Sequence, residues 1–285
     1  MTVGTNILTI EHETTYHYLD RVFLEPHLLR LTPREGKNLH VYQADLEIDP
    51  KPQGIHSILE MDGTHAHLVW FSGMTKQFSI RARSEVELRP FNPFEFIIFP
   101  TTSVRLPMVY PAGWERVLAP YMQDGAPDPA VKTFAANIAE DTAQETINFL
   151  TALVKTISDD FKYVKREHGR PHPPEQVLSE KEGSCRDFTV FAMAACRALG
   201  LATRFVSGYY FSEEDDEPSE LHAWLEVYLP GAGWKGYDPA HGLACDHHYL
   251  ALSASAEPDK TLPVTGTFRG FASSRMRTSL MIFPS

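Results

Sequence analysis

The segment GSCRDF at residues 183–188 decides how this chain is interpreted, because it places a thiol at a helix start. Ser184 is followed three residues later by Asp187, and this spacing resembles a capping box. It predicts Ser184 as the N-cap and Cys185 in the first turn of a helix that runs to Leu199. There the helix dipole and the free backbone N–H groups favour a thiolate, and they can stabilise an oxyanion beside the sulfur. Gly183 is expected to let a substrate carbonyl approach closely.

The alternative interpretation of Cys185 is a small buried hydrophobic residue, which most free cysteines are. The chain has three cysteines and no CxxC spacing, so a disulfide or zinc framework is not favoured. Cys196 lies on the same predicted helix, and we predict that it is a residue of the hydrophobic core. Cys245 is followed by Asp246, His247 and His248, but adjacent histidines rarely both reach one ion, so we predict no metal site.

Two downstream segments supply the partners that a nucleophilic cysteine needs. His222 lies where an acidic stretch gives way to a predicted strand, from which it can accept a thiol proton. The turn Pro230-Gly231-Ala232-Gly233 predicts a hairpin whose second strand ends at Asp238, beside His222. An aspartate there can accept the other imidazole N–H and fix the tautomer. Taken singly, His222 could be a structural histidine and Asp238 a turn cap before Pro239, but the three residues together predict cysteine nucleophilic catalysis.

Outward from this centre, the residue patterns divide the chain into a β-rich first part and a mixed second part. Four strands are predicted in the first part and suggest a small antiparallel sandwich; they cover Ile7–Tyr18, Val41–Ile48, Ala66–Phe71 and Phe78–Leu88. Helices are predicted next, over Trp114–Met122, Pro129–Ala139 and Gln144–Phe161. Strands follow at Thr203–Phe211, Ala223–Leu229, Trp234–Asp238 and Met276–Phe283. We therefore predict an α+β fold, with an N-terminal antiparallel β-sandwich domain at residues 1–110 and a catalytic core at residues 111–285.

The segments GSCRDF, LHAWLEVYLPGAGW and YDPAHG resemble the core of the transglutaminase-like superfamily, which includes bacterial cysteine proteases. The opening segment TIEHETTYHYLDRVFLEPHLLRLTPREG is similar to the β-rich N-terminal region found ahead of that core in bacterial members. The resemblance implies a papain-like α+β core behind a β-sandwich. It also implies Cys185 as nucleophile, His222 as base and Asp238 as orienting residue. It leaves the oxyanion donor beyond the backbone unassigned, with Trp224, Trp234 and Tyr163 as candidates by residue type.

These observations predict an enzyme that cleaves or transfers an amide-type acyl group of a peptide or protein through a thioester, without a cofactor. Water as acceptor would make it a peptidase or amidase, and an amine as acceptor would make it a transglutaminase-type transferase. The alternative from another class is a non-catalytic peptide- or protein-binding module that retains the fold. A redox-sensing thiol would need a resolving cysteine near Cys185.

The formal net charge of −11 argues against a nucleic-acid partner and against an anionic membrane surface, since both require a basic face. The N-terminal residues show no secretory signal pattern, and no apolar run reaches about 18 residues, so a cytoplasmic location is the default expectation. The acidic run Glu213–Glu217 is usually a solvated loop. Because it precedes His222, it also suggests a cleft that favours basic or amine substrates. The sequence makes no prediction of oligomeric state.

Overall fold

A computed structural model describes residues 6–122, 128–166, 169–212 and 219–285. The strands, in chain order, are β1 (Asn6–Leu24), β2 (His27–Leu29), β3 (Leu39–Asp49), β4 (Gly54–Leu59), β5 (His65–Trp70), β6 (Thr75–Leu88), β7 (Lys162–Tyr163), β8 (Glu182–Gly183), β9 (Thr203–Tyr210), β10 (Glu220–Leu229), β11 (Gly233–Asp238), β12 (Leu243–Ala244), β13 (Tyr249–Ser255), β14 (Val264–Thr265), β15 (Phe268–Arg269) and β16 (Ser274–Pro284). The helices are α1 (Glu115–Met122), α2 (Pro129–Asp141), α3 (Thr146–Asp160), α4 (Pro174–Glu180) and α5 (Cys185–Ala198), with short 3₁₀ helices at Thr101–Val104 and Pro258–Thr261.

The first part of the chain forms two antiparallel sheets. One has the order β15-β1-β6-β3 with β16 also paired to β1, and the other has the order β14-β2-β5-β4. In β6, Phe78, Ile80 and Ala82 alternate with more exposed residues, which is the period-two pattern of a half-buried strand. These side chains share one buried cluster with Leu29 of β2 and Val69 of β5. The two sheets therefore bury a common apolar core, as the sandwich prediction requires.

The second part packs helices against one antiparallel sheet with the order β12-β11-β10-β9-β13. Helix α5 is almost wholly buried, because Phe188, Phe191 and Ala195 join a core that also contains Phe205 of β9 and Leu225 of β10. Burial of a large apolar side chain contributes roughly 1.5–3 kcal/mol. This packing makes α5 a rigid mount for its first residue, Cys185. The predicted α+β class is confirmed.

The two parts share a buried apolar interface, and the last strands of the chain return to the sheets of the first part. Leu8 and Ile10 of β1 lie in one apolar cluster with Tyr209 of β9 and Leu250 of β13. The buried His12 also hydrogen-bonds through Nδ1 to the hydroxyl of Tyr209 at 2.9 Å. The strands β14, β15 and β16 pair with β2 and β1, so the last segment lies in the sheets of the first part and not beside the core. A division at about residue 110 stays a prediction.

Most of the predicted elements are present with small shifts of their ends. The sequence patterns missed three strands and one α-helix of three or more residues, namely β2, β4, β13 and α4, and both 3₁₀ helices. Helix α4 is short and begins at Pro174, directly after Pro173. None of the helices in the described ranges combines the length and the hydropathy needed to cross a membrane.

Candidate active site

Cys185 is the first residue of α5, as the capping box predicts. The backbone N–H and the hydroxyl of Ser184 both donate to Oδ2 of Asp187, each at 2.7 Å. Cys185 is only 9% exposed, and its thiol lies at the helix end where unpaired N–H groups concentrate positive potential. The structure therefore places this thiol at a position that stabilises negative charge on the sulfur and on an adjacent oxyanion.

Asp187 holds this helix start in place from a fully buried position. Its Oδ1 accepts hydrogen bonds from Nη2 of Arg166 at 2.6 Å and from the backbone N–H of His172 at 2.7 Å. Burial alone would raise the pKa of Asp187. The hydrogen bonds from His172 and Ser184, together with the charge of Arg166, outweigh burial and lower it. The loop before α4 is thus tied to the N-terminus of α5 by a buried ion pair.

We expect Asp187→Asn to lower the free energy of unfolding at pH 7 by about 3 kcal/mol, because it leaves the charge of Arg166 without its buried partner. The folded-state pKa of Asp187 lies below its unfolded value, so the carboxylate stabilises the fold above the unfolded pKa of about 3.9. That contribution is lost as the pH falls through the folded-state pKa. Urea unfolding of both proteins at pH 7 and at a series of pH values below about 3.9 measures the difference in unfolding free energy, which should narrow as the pH falls below about 3.9.

The matched control for this variant is Glu182→Gln. Glu182 is a half-exposed carboxylate, three residues before Cys185, and its ion pair with Lys162 spans 3.6 Å at the surface. A pair of this kind contributes at most about 1 kcal/mol. Equal stabilities of wild type and Asp187→Asn at pH 7 would show that Asp187 does not anchor the helix start.

Gly183 is required by the packing of its own helix start, and its predicted role in admitting a substrate carbonyl stays a prediction. A Cβ on this residue would lie 2.8 Å from Cβ of Asp187 and 3.1 Å from Cε1 of Phe188. The close approach that requires glycine is therefore made by the first turn of α5. A substrate carbonyl is not needed to explain the residue.

His222 and Asp238 are brought together by the predicted hairpin. Strands β10 and β11 pair in antiparallel register, with Leu225 opposite Tyr237, and both site residues are buried. Nε2 of His222 lies 2.8 Å from Oδ2 of Asp238. A buried carboxylate at this distance accepts the Nε2–H proton, so the lone pair or second proton of the imidazole must be at Nδ1.

Nδ1 of His222 is the ring nitrogen that Asp238 does not occupy. It lies 3.3 Å from Oε1 of Glu220, although the pair is not aligned as a good hydrogen bond. Burial lowers the pKa of His222, but the charge of Asp238 and its hydrogen bond raise it, as do interactions with the Cys185 thiol and with Glu220. The net effect is a pKa well above the ordinary value, which favours an imidazolium next to Cys185.

Asp238 has three donors on one oxygen, which the sequence did not reveal. Besides His222, Oδ2 accepts from Nδ1 of His241 at 2.6 Å and from the hydroxyl of Tyr249 at 2.8 Å, while Oδ1 accepts from the backbone N–H of Ala240 at 2.8 Å. Burial would raise the pKa of Asp238, and the charge and hydrogen bond of His222, followed by those of His241, lower it strongly. The residue is therefore a carboxylate throughout the neutral range.

The spacing of His241, three residues after Asp238, is the one sequence signal that could have indicated it. The imidazole of His241 stacks on that of His222, with ring centroids 4.8 Å apart. Tyr249 gave no signal, because it reaches Asp238 only through β13, a strand that the sequence patterns missed.

Tyr163 is the member of the three oxyanion candidates that lies next to the thiol. It belongs to β7, which pairs in parallel with β8 so that Tyr163 lies opposite Gly183. Burial is the main cause that raises the pKa of Tyr163, and the negative charges of Cys185 and Glu220 raise it further, which indicates that the phenol lies close to the thiol. Trp224 packs instead against Tyr249, and the ring of Trp234 lies under the guanidinium of Arg204.

Two groups of side chains in the described part of the chain present possible metal ligands within 4.8 Å of one another. The first is His222, Asp238 and His241, whose ligand atoms are already joined by the hydrogen bonds given above. The second consists of the consecutive residues Asp246, His247 and His248, in which Oδ1 of Asp246 lies 2.8 Å from Nδ1 of His248. The acidic run Glu213–Glu217, suggested by the sequence to border the cleft, lies outside the described residues.

The fold and the site define a class of protein: an α+β protein in which a cysteine at a helix start faces a histidine–aspartate pair on an antiparallel sheet. Residues 132–239 match the core of the transglutaminase-like superfamily. Residues 8–87 match the bacterial transglutaminase-like N-terminal region. The chain belongs to the transglutaminase-like superfamily, and the resemblance seen in its sequence is confirmed.

Relatives span nearly the whole chain. An uncharacterized protein of Mycobacterium tuberculosis (strain ATCC 25618 / H37Rv) is 25% identical over 282 residues, which cover 92% of this chain and 88% of that protein. One of Mycobacterium leprae (strain TN) is 22% identical over 270 residues, covering 92% and 93%. The crystal structure of a proposed cysteine protease from Cytophaga hutchinsonii has a TM-score of 0.72 at 17% identity and covers 99% of this chain and 92% of that one. The last similarity shows the fold.

Proposed function

We propose that the protein catalyses thiol-dependent acyl transfer on amide substrates, through a thioester on Cys185. The observation that supports this most is which group each ring nitrogen of the His222 imidazole contacts. Oδ2 of Asp238 lies 2.8 Å from Nε2 of His222, which leaves Nδ1 to exchange a proton with the Cys185 thiol, with which the imidazole interacts. This is the arrangement in which a carboxylate orients a base that activates a nucleophile.

The reaction proceeds in two halves. The thiol of Cys185 gives its proton to Nδ1 of His222, and the thiolate attacks the amide carbonyl to form a C–S bond. The tetrahedral intermediate collapses as the C–N bond breaks, and Nδ1–H of His222 protonates the departing nitrogen. Water or an amine then attacks the thioester, gives a proton to Nδ1, and releases Cys185 as the C–S bond breaks. Asp238 stays ionised and stabilises the imidazolium throughout.

Two groups beside the sulfur are suited to the oxyanion that forms in both halves. They are the backbone N–H of Cys185 at the start of α5 and the hydroxyl of Tyr163, whose residue lies opposite Gly183 in the β7–β8 pair. Donors that are already oriented toward developing charge are often worth about 10²–10³ in rate. In this proposal Tyr163 donates to the oxyanion once a substrate carbonyl occupies the site.

The substrate class is a carboxamide or peptide bond of a peptide or protein. The test uses two probes, N-acetyl-glutaminyl-glycine for side-chain carboxamides and casein for peptide bonds. Reactions are quenched in acid, and intact-protein mass spectrometry with peptide mapping locates any acyl adduct. We expect the acyl mass on Cys185 together with released ammonia or new peptides. Binding of the probes without an adduct or a product would favour the peptide-binding module instead.

A further inference from the structure

Glu220 is a carboxylate at the site that the steps proposed above do not use. It is the first residue of β10, and because side chains two residues apart share one face of a strand, it lies on the same face as His222. Its Oε1 is 3.3 Å from Nδ1 of His222, and its side chain is 30% exposed. Interaction with His222, opposed by burial, lowers the pKa of Glu220, and the charges of His222, His241 and Lys165 also lower it, so the group is ionised at neutral pH.

The distance between Glu220 and the nitrogen of a reacting amine is limited by the atom of His222 with which that amine exchanges its proton. Nε2 of His222 is held by Asp238, so every proton that His222 exchanges with the thiol or with the amine passes through Nδ1. An amine nitrogen must come within about 2.6–3.2 Å of Nδ1 to exchange a proton with it. Since Oε1 of Glu220 is 3.3 Å from the same atom, the amine nitrogen and the carboxylate lie no more than about 6.5 Å apart.

A carboxylate so close to the reacting nitrogen favours positive charge on the amine. In the described ranges Glu220 forms no ion pair with a lysine or arginine, so its charge is shared mainly with His222. The negative charge of Glu220 also acts on Tyr163, because it contributes to raising the pKa of that phenol. The carboxylate therefore lies beside the imidazole and near the phenol.

We propose that Glu220 determines specificity by selecting amines that carry positive charge as the acyl acceptor. This inference rests on the proposed function and adds the substrate class to it. A primary amine arrives as an ammonium ion, which Glu220 holds beside the thioester. One proton is released to solvent, and the nitrogen forms the C–N bond while its next proton passes to Nδ1 of His222. The C–S bond breaks, and Cys185 leaves as a thiolate, so charge and atoms balance.

The experiment measures how one acyl-enzyme divides between two acceptors. p-Nitrophenyl acetate acylates Cys185 and releases p-nitrophenolate, whose burst counts the active sites. The acyl-enzyme is then offered at pH 8 to 1,5-diaminopentane, which is cationic, or to hydroxylamine, which is neutral. The readout is the ratio of the two aminolysis rate constants, compared between wild type and Glu220→Gln.

We expect Glu220→Gln to lower the diaminopentane-to-hydroxylamine ratio about tenfold, the size expected for one partly screened charge at this distance. Both rate constants are measured on the acyl-enzyme that the burst counts, so a change in the acylation rate does not alter the ratio. Glu220→Asp should give an intermediate ratio. The control is Glu257→Gln, whose carboxylate pairs with Lys260 near the other end of α5 and should leave the ratio unchanged. A normal burst with an unchanged ratio in Glu220→Gln overturns this inference alone. A wild type with no burst at Cys185 overturns the proposed function and the inference with it.

Discussion

Replacing Cys185 by alanine is expected to lower amide turnover on the order of 10⁶-fold, down to what binding and oxyanion stabilisation alone provide. The loss is large because no other group at the site can form the thioester. The fold should survive, since the change removes only the sulfur atom of a residue at the edge of the core. We expect the free energy of unfolding to fall by about 1 kcal/mol. Turnover of the glutaminyl and casein probes, together with urea unfolding, measures both quantities.

The matched control is Cys196→Ala in the same helix. Cys196 is fully buried, and burial raises the pKa of its thiol, so it cannot serve as a nucleophile at neutral pH. We expect this variant to lose stability and to keep its turnover per folded molecule. Wild-type turnover in Cys185→Ala would contradict the assignment of the nucleophile.

Replacing Asp238 by asparagine is expected to reduce turnover by about 10⁴-fold, as loss of the orienting carboxylate does in comparable triads. The amide cannot stabilise an imidazolium, and it can present an N–H to Nε2 and reverse the tautomer of His222. The change also removes a buried charge that receives hydrogen bonds from His222, His241 and Tyr249, so about 3 kcal/mol of unfolding free energy should be lost at pH 7.

The pH dependence separates this explanation from a general loss of structure. The folded-state pKa of Asp238 is lowered, so its contribution to stability is present above the unfolded pKa of about 3.9 and is lost as the pH falls through the folded-state pKa. The pKa of His222 should fall in Asp238→Asn, because the charge of Asp238 is what chiefly raises it. NMR titration of the His222 imidazole measures that shift.

Asp246→Asn is the control for the Asp238 variant. Asp246 is partly exposed and accepts from the side chain and the backbone N–H of His248, away from His222. Turnover should stay within twofold of wild type. An Asp238→Asn protein with wild-type turnover would show that the carboxylate does not orient the base.

The sequence predicted those parts of the site that local rules govern. The capping box located Cys185 at the start of α5, because Asp187 accepts a hydrogen bond from the backbone N–H of Ser184 within four consecutive residues, whatever the rest of the chain does. The Gly-rich turn after β10 set the hairpin that places Asp238 against His222. Both predictions depend on contacts between residues close in sequence, or on one tight turn.

The remaining features depend on contacts between distant residues. Tyr163 reaches Cys185 through the short parallel pair β7–β8, which has too few residues to show a period. Tyr249 reaches Asp238 from a strand whose residues Ala251 and Ser253 straddle an irregularity in the pairing. The pairing of β16 with β1 joins residues more than 250 positions apart, and no local pattern encodes such a partner.

The most direct test of the account is the alkylation of Cys185 by iodoacetamide across pH 5–9, in wild type and in His222→Gln, with peptide mapping of the modified cysteine. A free thiol, with a pKa of about 8.5, reacts very slowly at pH 6. We predict that wild-type Cys185 reacts rapidly and selectively at pH 6, because His222 holds its proton, and that His222→Gln abolishes this labelling. Slow labelling at pH 6 that is equal in both proteins would contradict an activated thiol–imidazole pair.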